Sequence, residues 1–165
     1  MNVSRTLRHL FTTAWSLRAV FPPSALSNIE AAIRDSEKTH DGQIRFAVEH
    51  SLDAREVWRG VTARKRAIEV FGELSVWDTP RNNGVLIYFL LADRDFEIVG
   101  DRGIHTHVGP DGWEKIASGM EERIRSGEFE GGVIWGVHAV GEQLRIHYPP
   151  GDEGTRDLPD RPVVM

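Results

Sequence analysis

The sequence predicts an α/β protein, a three-layer α/β/α sandwich around a small mixed β-sheet. Three observations predict it. Residues 85–92, VLIYFLLA, run apolar without alternation, the pattern of a central strand covered on both faces. Residues 43–50 alternate instead, with Ile44, Phe46 and Val48 on one side and Arg45 and Glu49 on the other, so one face is expected to be more buried. The flanking segments carry apolar residues at helical spacing, enough helices for both faces of a sheet.

The elements follow in order. Leu7, Leu10, Phe11, Ala14 and Leu17 make one amphipathic N-terminal helix with Arg5, Arg8 and Arg18 off the stripe. The stripe is expected to pack on the domain; the arginines flanking Trp15 suggest a membrane-surface role as the other reading. After the break at Phe21-Pro22-Pro23, Ser24 is placed to cap a second helix with the stripe Leu26, Ile29, Ala32, Ile33. The first strand leads into a long helix over 54–74. The loop 79–84, TPRNNG, precedes the apolar strand. Asp93-Arg94-Asp95 is a turn, and 96–100 returns as an antiparallel partner. Pro110-Asp111-Gly112 reads as a turn before a helix from Trp113 to Arg125, and a last helix spans 130–147 until Pro149-Pro150-Gly151. The strand, crossover helix and next strand form a right-handed unit, so the first two strands are expected to be parallel. The expected organisation is an N-terminal helix in 1–23, an α/β domain in 24–150 and a polar, Pro-rich tail in 151–165, loose or docked.

Composition narrows the function. The chain has 165 residues, 40% hydrophobic and 27% charged, as an ordinary globular domain has. A net charge of -5 and pI near 5.8 argue against a general nucleic-acid binder. With no cysteine there is no disulfide framework, thiolate zinc site or thiol nucleophile. The longest apolar run is far short of the roughly 20 residues that span a bilayer. Thr12, Thr13, Ser16 and Arg18 interrupt any signal-peptide core, so a cytoplasmic chain, peripheral to a membrane at most, is the expectation.

Two stretches carry candidate chemistry. Asn83-Gly84 precedes the apolar strand, and Gly100-Asp101-Arg102-Gly103 follows the hairpin. With Thr39-His40-Asp41-Gly42-Gln43-Ile44, Asp93-Arg94, Glu97-Ile98-Val99, Gly127-Glu128-Phe129 and Gly141-Glu142-Gln143-Leu144 before Tyr148-Pro149, they resemble a TPM domain over roughly residues 24 to 150. The resemblance implies an α/β/α sandwich, often beside a signal peptide and membrane anchor that this sequence does not show. It also implies calcium binding, an acid phosphatase activity as in a plant member, or a part in assembling or repairing membrane complexes.

The residues themselves weigh these readings. Asp93-x-Asp95 after a buried strand suggests a phosphatase nucleophile, but Glu97 stands where that motif has Thr, and Asp is at home in a hairpin turn. An EF-hand fails because Ile98 occupies its glycine position. His105-x-His107 lacks a third ligand. No Ser-His-Asp order, Walker loop or dinucleotide fingerprint appears. Counting along the hairpin puts Asp101 level with Ile87 and about 20 Å from Asp95, so the acids form two zones. One zone holds Asn83, Asp101, Arg102 and Gly103 as ligand-binding residues, with Asp78 and Asp101 as metal ligands. The weaker zone, at the turn, holds Asp93, Asp95 and Asp53, with His50 nearby. The expected function is a non-catalytic binding or assembly module, calcium-responsive, with a protein partner in a membrane-associated complex. The alternatives are a metal-assisted phosphomonoesterase, with Asp101 on the metal and Arg102 on phosphate, and a peripheral membrane adaptor.

Overall fold

The computed structural model describes residues 3–151 and 158–165; most of the expected tail's first half lies outside them. Four strands, β1 (Gln43–Glu49), β2 (Gly84–Leu90), β3 (Asp95–Gly100) and β4 (Val163–Val164), form one sheet in the order β3-β2-β1-β4. β1 runs parallel to β2 and β4, and β3 is antiparallel to β2. The mixed sheet is therefore as expected, with an added edge. The tail docks: β4 pairs with β1, and the Leu158 N–H donates to Gln43 Oε1.

Alternation sorts the core into two layers. Ile44, Phe46, Val48, Val85, Ile87 and Phe89 face α3 (Pro23–Ser36), α6 (Arg102–Arg125) and α7 (Phe129–His147). Ala47, Leu86, Tyr88 and Leu90 face α4 (Ala54–Trp58) and α5 (Ala63–Glu73). All seven residues of β1 are buried, so the face expected to be less buried is covered as well. Its charged residues are held by hydrogen bonds, although Arg45 Nε is buried without a partner among the described residues. Glu49 accepts from the Tyr88 hydroxyl at 2.7 Å and from Arg66 Nε at 2.9 Å, and Arg45 donates to the Arg161 carbonyl.

Several boundaries differ, each for a local reason. The expected 54–74 helix is two: Gly60 takes a positive φ of 73°, and the Thr62 hydroxyl caps the second helix at the Lys65 N–H. Pro23, not Ser24, opens α3, its missing N–H costing nothing in the first turn. The N-terminal helix is also two, α1 (Val3–Phe11) and α2 (Ala14–Val20), parted at Thr12-Thr13. α6 begins at Arg102, eleven residues before Trp113, and Gly109 with Pro110 marks a kink inside it. The hairpin register is displaced from the count: Gly100 faces Val85, and the Asp101 N–H donates to the Gly84 carbonyl, not level with Ile87. The two acidic zones still stand at opposite ends of β3.

Candidate functional site

At the Asp101 end, β3 runs directly into α6. Asp101 has extended backbone and is the N-cap, one carboxylate oxygen accepting from the Arg102 N–H at 2.7 Å. The residue is only 8% exposed, and its other oxygen, Oδ2, is buried with no hydrogen-bond partner among the described residues. That is an unusual state for a carboxylate, since buried acceptors are nearly always satisfied.

The bracketing glycines serve close approach. A Cβ on Gly103 would stand 2.6–2.8 Å from the Asn82 and Arg81 carbonyls and the Tyr148 hydroxyl, and one on Gly100 would strike the Trp113 ring. Gly103 thus lets the first turn of α6 lie against the 81–83 loop, where the Ile104 N–H bonds the Asn82 carbonyl. Asn83 is buried; its N–H donates to the Thr79 hydroxyl and its amide nitrogen to the Asp41 carbonyl.

Three residues complete this end that the sequence did not single out for it. Arg81 stands 3.3 Å from Asp41 and 4.9 Å from the centre of the Tyr148 ring. Asp41 also accepts from the Gly151 N–H. Burial pushes the Tyr148 phenol up; Arg81 opposes this and the Asp101 charge adds to it. The Tyr-Pro ending was the only signal for Tyr148. Asp41 stood in the Thr39 to Ile44 stretch without being placed at this site, and Arg81 sits in a loop with no spacing to betray it. Arg102 is exposed and makes no salt bridge among the described residues. Asp78 is exposed on the loop after α5, and no group of three His, Asp or Glu suited to a metal forms among the described residues. His105 Nδ1 accepts from the Trp113 indole while the His107 ring stacks on His147, so that pair does not chelate together.

The turn end is occupied by the chain itself. Asp93 accepts from Arg5 Nη2 at 2.7 Å and Nε at 3.0 Å, with Arg8 at 3.6 Å and His9 Nε2 at 3.1 Å. Burial would raise its carboxyl, but Arg5 and His9 together hold it below the ordinary carboxylate range. His9 Nδ1 accepts from the Leu52 N–H, so the ring proton is on Nε2, which lies close to Asp93 without hydrogen-bond geometry. Asp53 and Asp95 are exposed, and His50 bonds the Met165 carbonyl. This zone is the joint that holds α1 and the C-terminus.

Comparison with known proteins agrees with this architecture. The TPM domain family profile matches residues 17–143. The BA42 protein of the psychrophilic bacterium Bizionia argentinensis is 30% identical, with a TM-score of 0.76 over 86% of this chain and 93% of that one. The N-terminal domain of cg2496 from Corynebacterium glutamicum is 14% identical, with a TM-score of 0.57 over 81% of this chain and 79% of that one, a likeness of fold. No curated protein matches the sequence. With most of its length matched in sequence and its three layers matched in space, the chain belongs to the TPM domain family.

Proposed function

We propose that the chain is a non-catalytic binding or assembly module whose ligand site is the Asp101 end of the sheet, responsive to a divalent cation, calcium first. The observation that carries this reading is the buried, unpartnered Asp101 Oδ2. A hard cation supplies the partner such an oxygen lacks, and calcium accepts irregular sets of carboxylate, carbonyl and amide oxygens. Asn83 supports it: its amide nitrogen is committed to Asp41, which leaves the amide oxygen as an acceptor. Asp78 stands away as an exposed loop carboxylate, so Asp101 carries the charge of the site.

Thermal unfolding in calcium tests this. At ten times the dissociation constant, a ligand that binds only the native state adds about 1.4 kcal/mol, roughly 4 °C for a chain of this size. Asp101→Asn keeps an N-cap acceptor and removes the charge. The expected result is a calcium-dependent rise in the wild type and none in the variant. No rise at millimolar calcium, or an equal rise in Asp101→Asn, sinks the reading.

A metal-assisted phosphomonoesterase is the second reading, favoured by one observation: Arg102 stands exposed beside the cap with no salt bridge among the described residues, where a guanidinium suits a phosphate. Turnover of a chromogenic phosphomonoester that Asp101→Asn and Arg102→Ala abolish supports it. Turnover unaffected by both removes it.

A further inference from the structure

The N-terminal helices are docked inside out. On α1, Arg5 and His9 share one side and hold the domain: Arg5 Nη2 donates to the Val61 carbonyl and to Asp93, and His9 accepts from the Leu52 N–H. The opposite side is Val3, Leu7, Leu10 and Phe11, all exposed, with Phe11 at 77%. In α2 Leu17 enters the core and Val20 packs partly against it, while Trp15 is 81% exposed. The expectation that this stripe packs on the domain therefore fails for all but its last residue. Its physical reason is the Asp93 carboxylate, which binds the polar side of α1 and leaves the apolar side facing out.

A soluble domain rarely shows so many large apolar groups in one short segment without an occupant for them. The chemistry of the segment says which. Residues 3–20 contain Arg5, Arg8, Arg18 and His9 and no Asp or Glu, within a chain whose net charge is -5. Arg8 is 56% exposed at the margin of the apolar side. Arg18, three residues from Trp15 and so on the same side of α2, lines with Arg161 and one acid, Glu30, a cleft of about 560 Å³ between α2, α3 and β4. Arg8 and Arg18 thus put exposed positive charge beside the exposed apolar residues, on a chain that is acidic as a whole. An anionic surface would be met by them.

We propose that α1 and α2 are a bilayer-docking face, on which Val3, Leu7, Leu10, Phe11 and Trp15 enter the headgroup boundary of an anionic membrane while Arg8 and Arg18 meet lipid phosphates. A helix whose polar side is fastened to a domain and whose apolar side points away from it already has the orientation an interfacial helix adopts. Trp15 and Phe11 are the aromatic types that settle at that boundary. Asp93 supplies the orientation, so no folding of α1 is needed on contact. The face is carried by α1 and α2 and the Asp101 site by the junction of β3 and α6, so the two are tested independently.

Co-sedimentation of the full chain with vesicles tests it, using pure phosphatidylcholine and a mixture with phosphatidylglycerol at low salt. The chain should pellet with the anionic vesicles and remain in solution with the neutral ones. Phe11→Ser and Trp15→Ser, both at exposed positions, should each weaken binding roughly tenfold. Arg18→Glu should weaken it roughly fivefold per unit of charge, and 0.5 M salt should remove most of that difference. Circular dichroism and melting of each variant should match the wild type. The proposal is overturned if the wild type stays in solution with anionic vesicles, or if it binds both compositions equally. It is also overturned if sedimentation shows a dimer that Trp15→Ser dissociates while vesicle binding is unchanged, which would assign the face to a second copy.

Discussion

Replacing Asp93 by Asn should release α1 while leaving the domain folded. Asp93 is the single carboxylate that Arg5, Arg8 and His9 share, and the apolar side of α1 is largely exposed. The magnitude follows from exposure. A solvated ion pair contributes up to about 1 kcal/mol, and breaking a buried one costs about 3–5 kcal/mol. The Arg5 and Asp93 side chains are 17% and 12% exposed, between those limits, and Arg5 is free to swing into water once released. The loss is therefore about 2 kcal/mol, or roughly a 30-fold rise in the opening of α1. A nine-residue helix is not stable alone, so opening means unravelling. Amide hydrogen exchange reads this directly: residues 5–11 should exchange roughly 30-fold faster in Asp93→Asn, with β1 and β2 protected as before. Unchanged exchange over α1 would refute the claim that this carboxylate holds it.

Other perturbations have equally definite outcomes. Burial lowers His40 to about 4, its Nδ1 donating to the Gly42 carbonyl and its Nε2 accepting from Ser36, so the unfolded chain takes up the proton first as pH falls. Stability from His40 is complete above the usual histidine value near 6.5 and is lost toward 4; urea unfolding at pH 7 and pH 5 should differ by about 2 kcal/mol from this residue, and His9, also lowered by burial, acts in the same direction. Tyr88→Phe should cost about 1–2 kcal/mol by urea unfolding, because it takes from the buried Glu49 a donor at 2.7 Å. Glu49→Ala strands the buried Tyr88 hydroxyl but leaves Arg66 its Glu73 and Glu69 partners, and should cost about 1–3 kcal/mol in the same assay. Gly84→Ala should destabilise by up to about 3 kcal/mol, because its Cβ would be driven into the Val76 carbonyl, a backbone atom that cannot swing aside.

The sheet was legible because its signals are local and strong. An eight-residue apolar run and an alternating partner leave few arrangements once handedness fixes the crossover. The start of α6 was hidden for the opposite reason. Gly103, Gly109, Pro110 and Gly112 erase helix propensity over 102–112, and packing of that turn against the 81–83 loop overrides it. Asp101 was found from the Gly-Asp-Arg-Gly pattern. Tyr148, Arg81 and Asp41 were not placed beside it, because loops converge on a site through tertiary structure and leave no period in the sequence. The inverted docking of α1 was invisible in principle. Helical periodicity shows that two sides differ, not which one faces the domain, and the deciding group, Asp93, lies 88 positions beyond Arg5.

The central claim is that ligand binding belongs to the Asp101 end and not to the hairpin turn. The most direct measurement is a calcium titration of the full chain followed by backbone amide chemical shifts. The account predicts saturating shifts centred on Asn83, Asp101, Arg102 and Gly103, absent in Asp101→Asn. Shifts confined to Asp53, Asp93 and Asp95, or none at millimolar calcium, would contradict it.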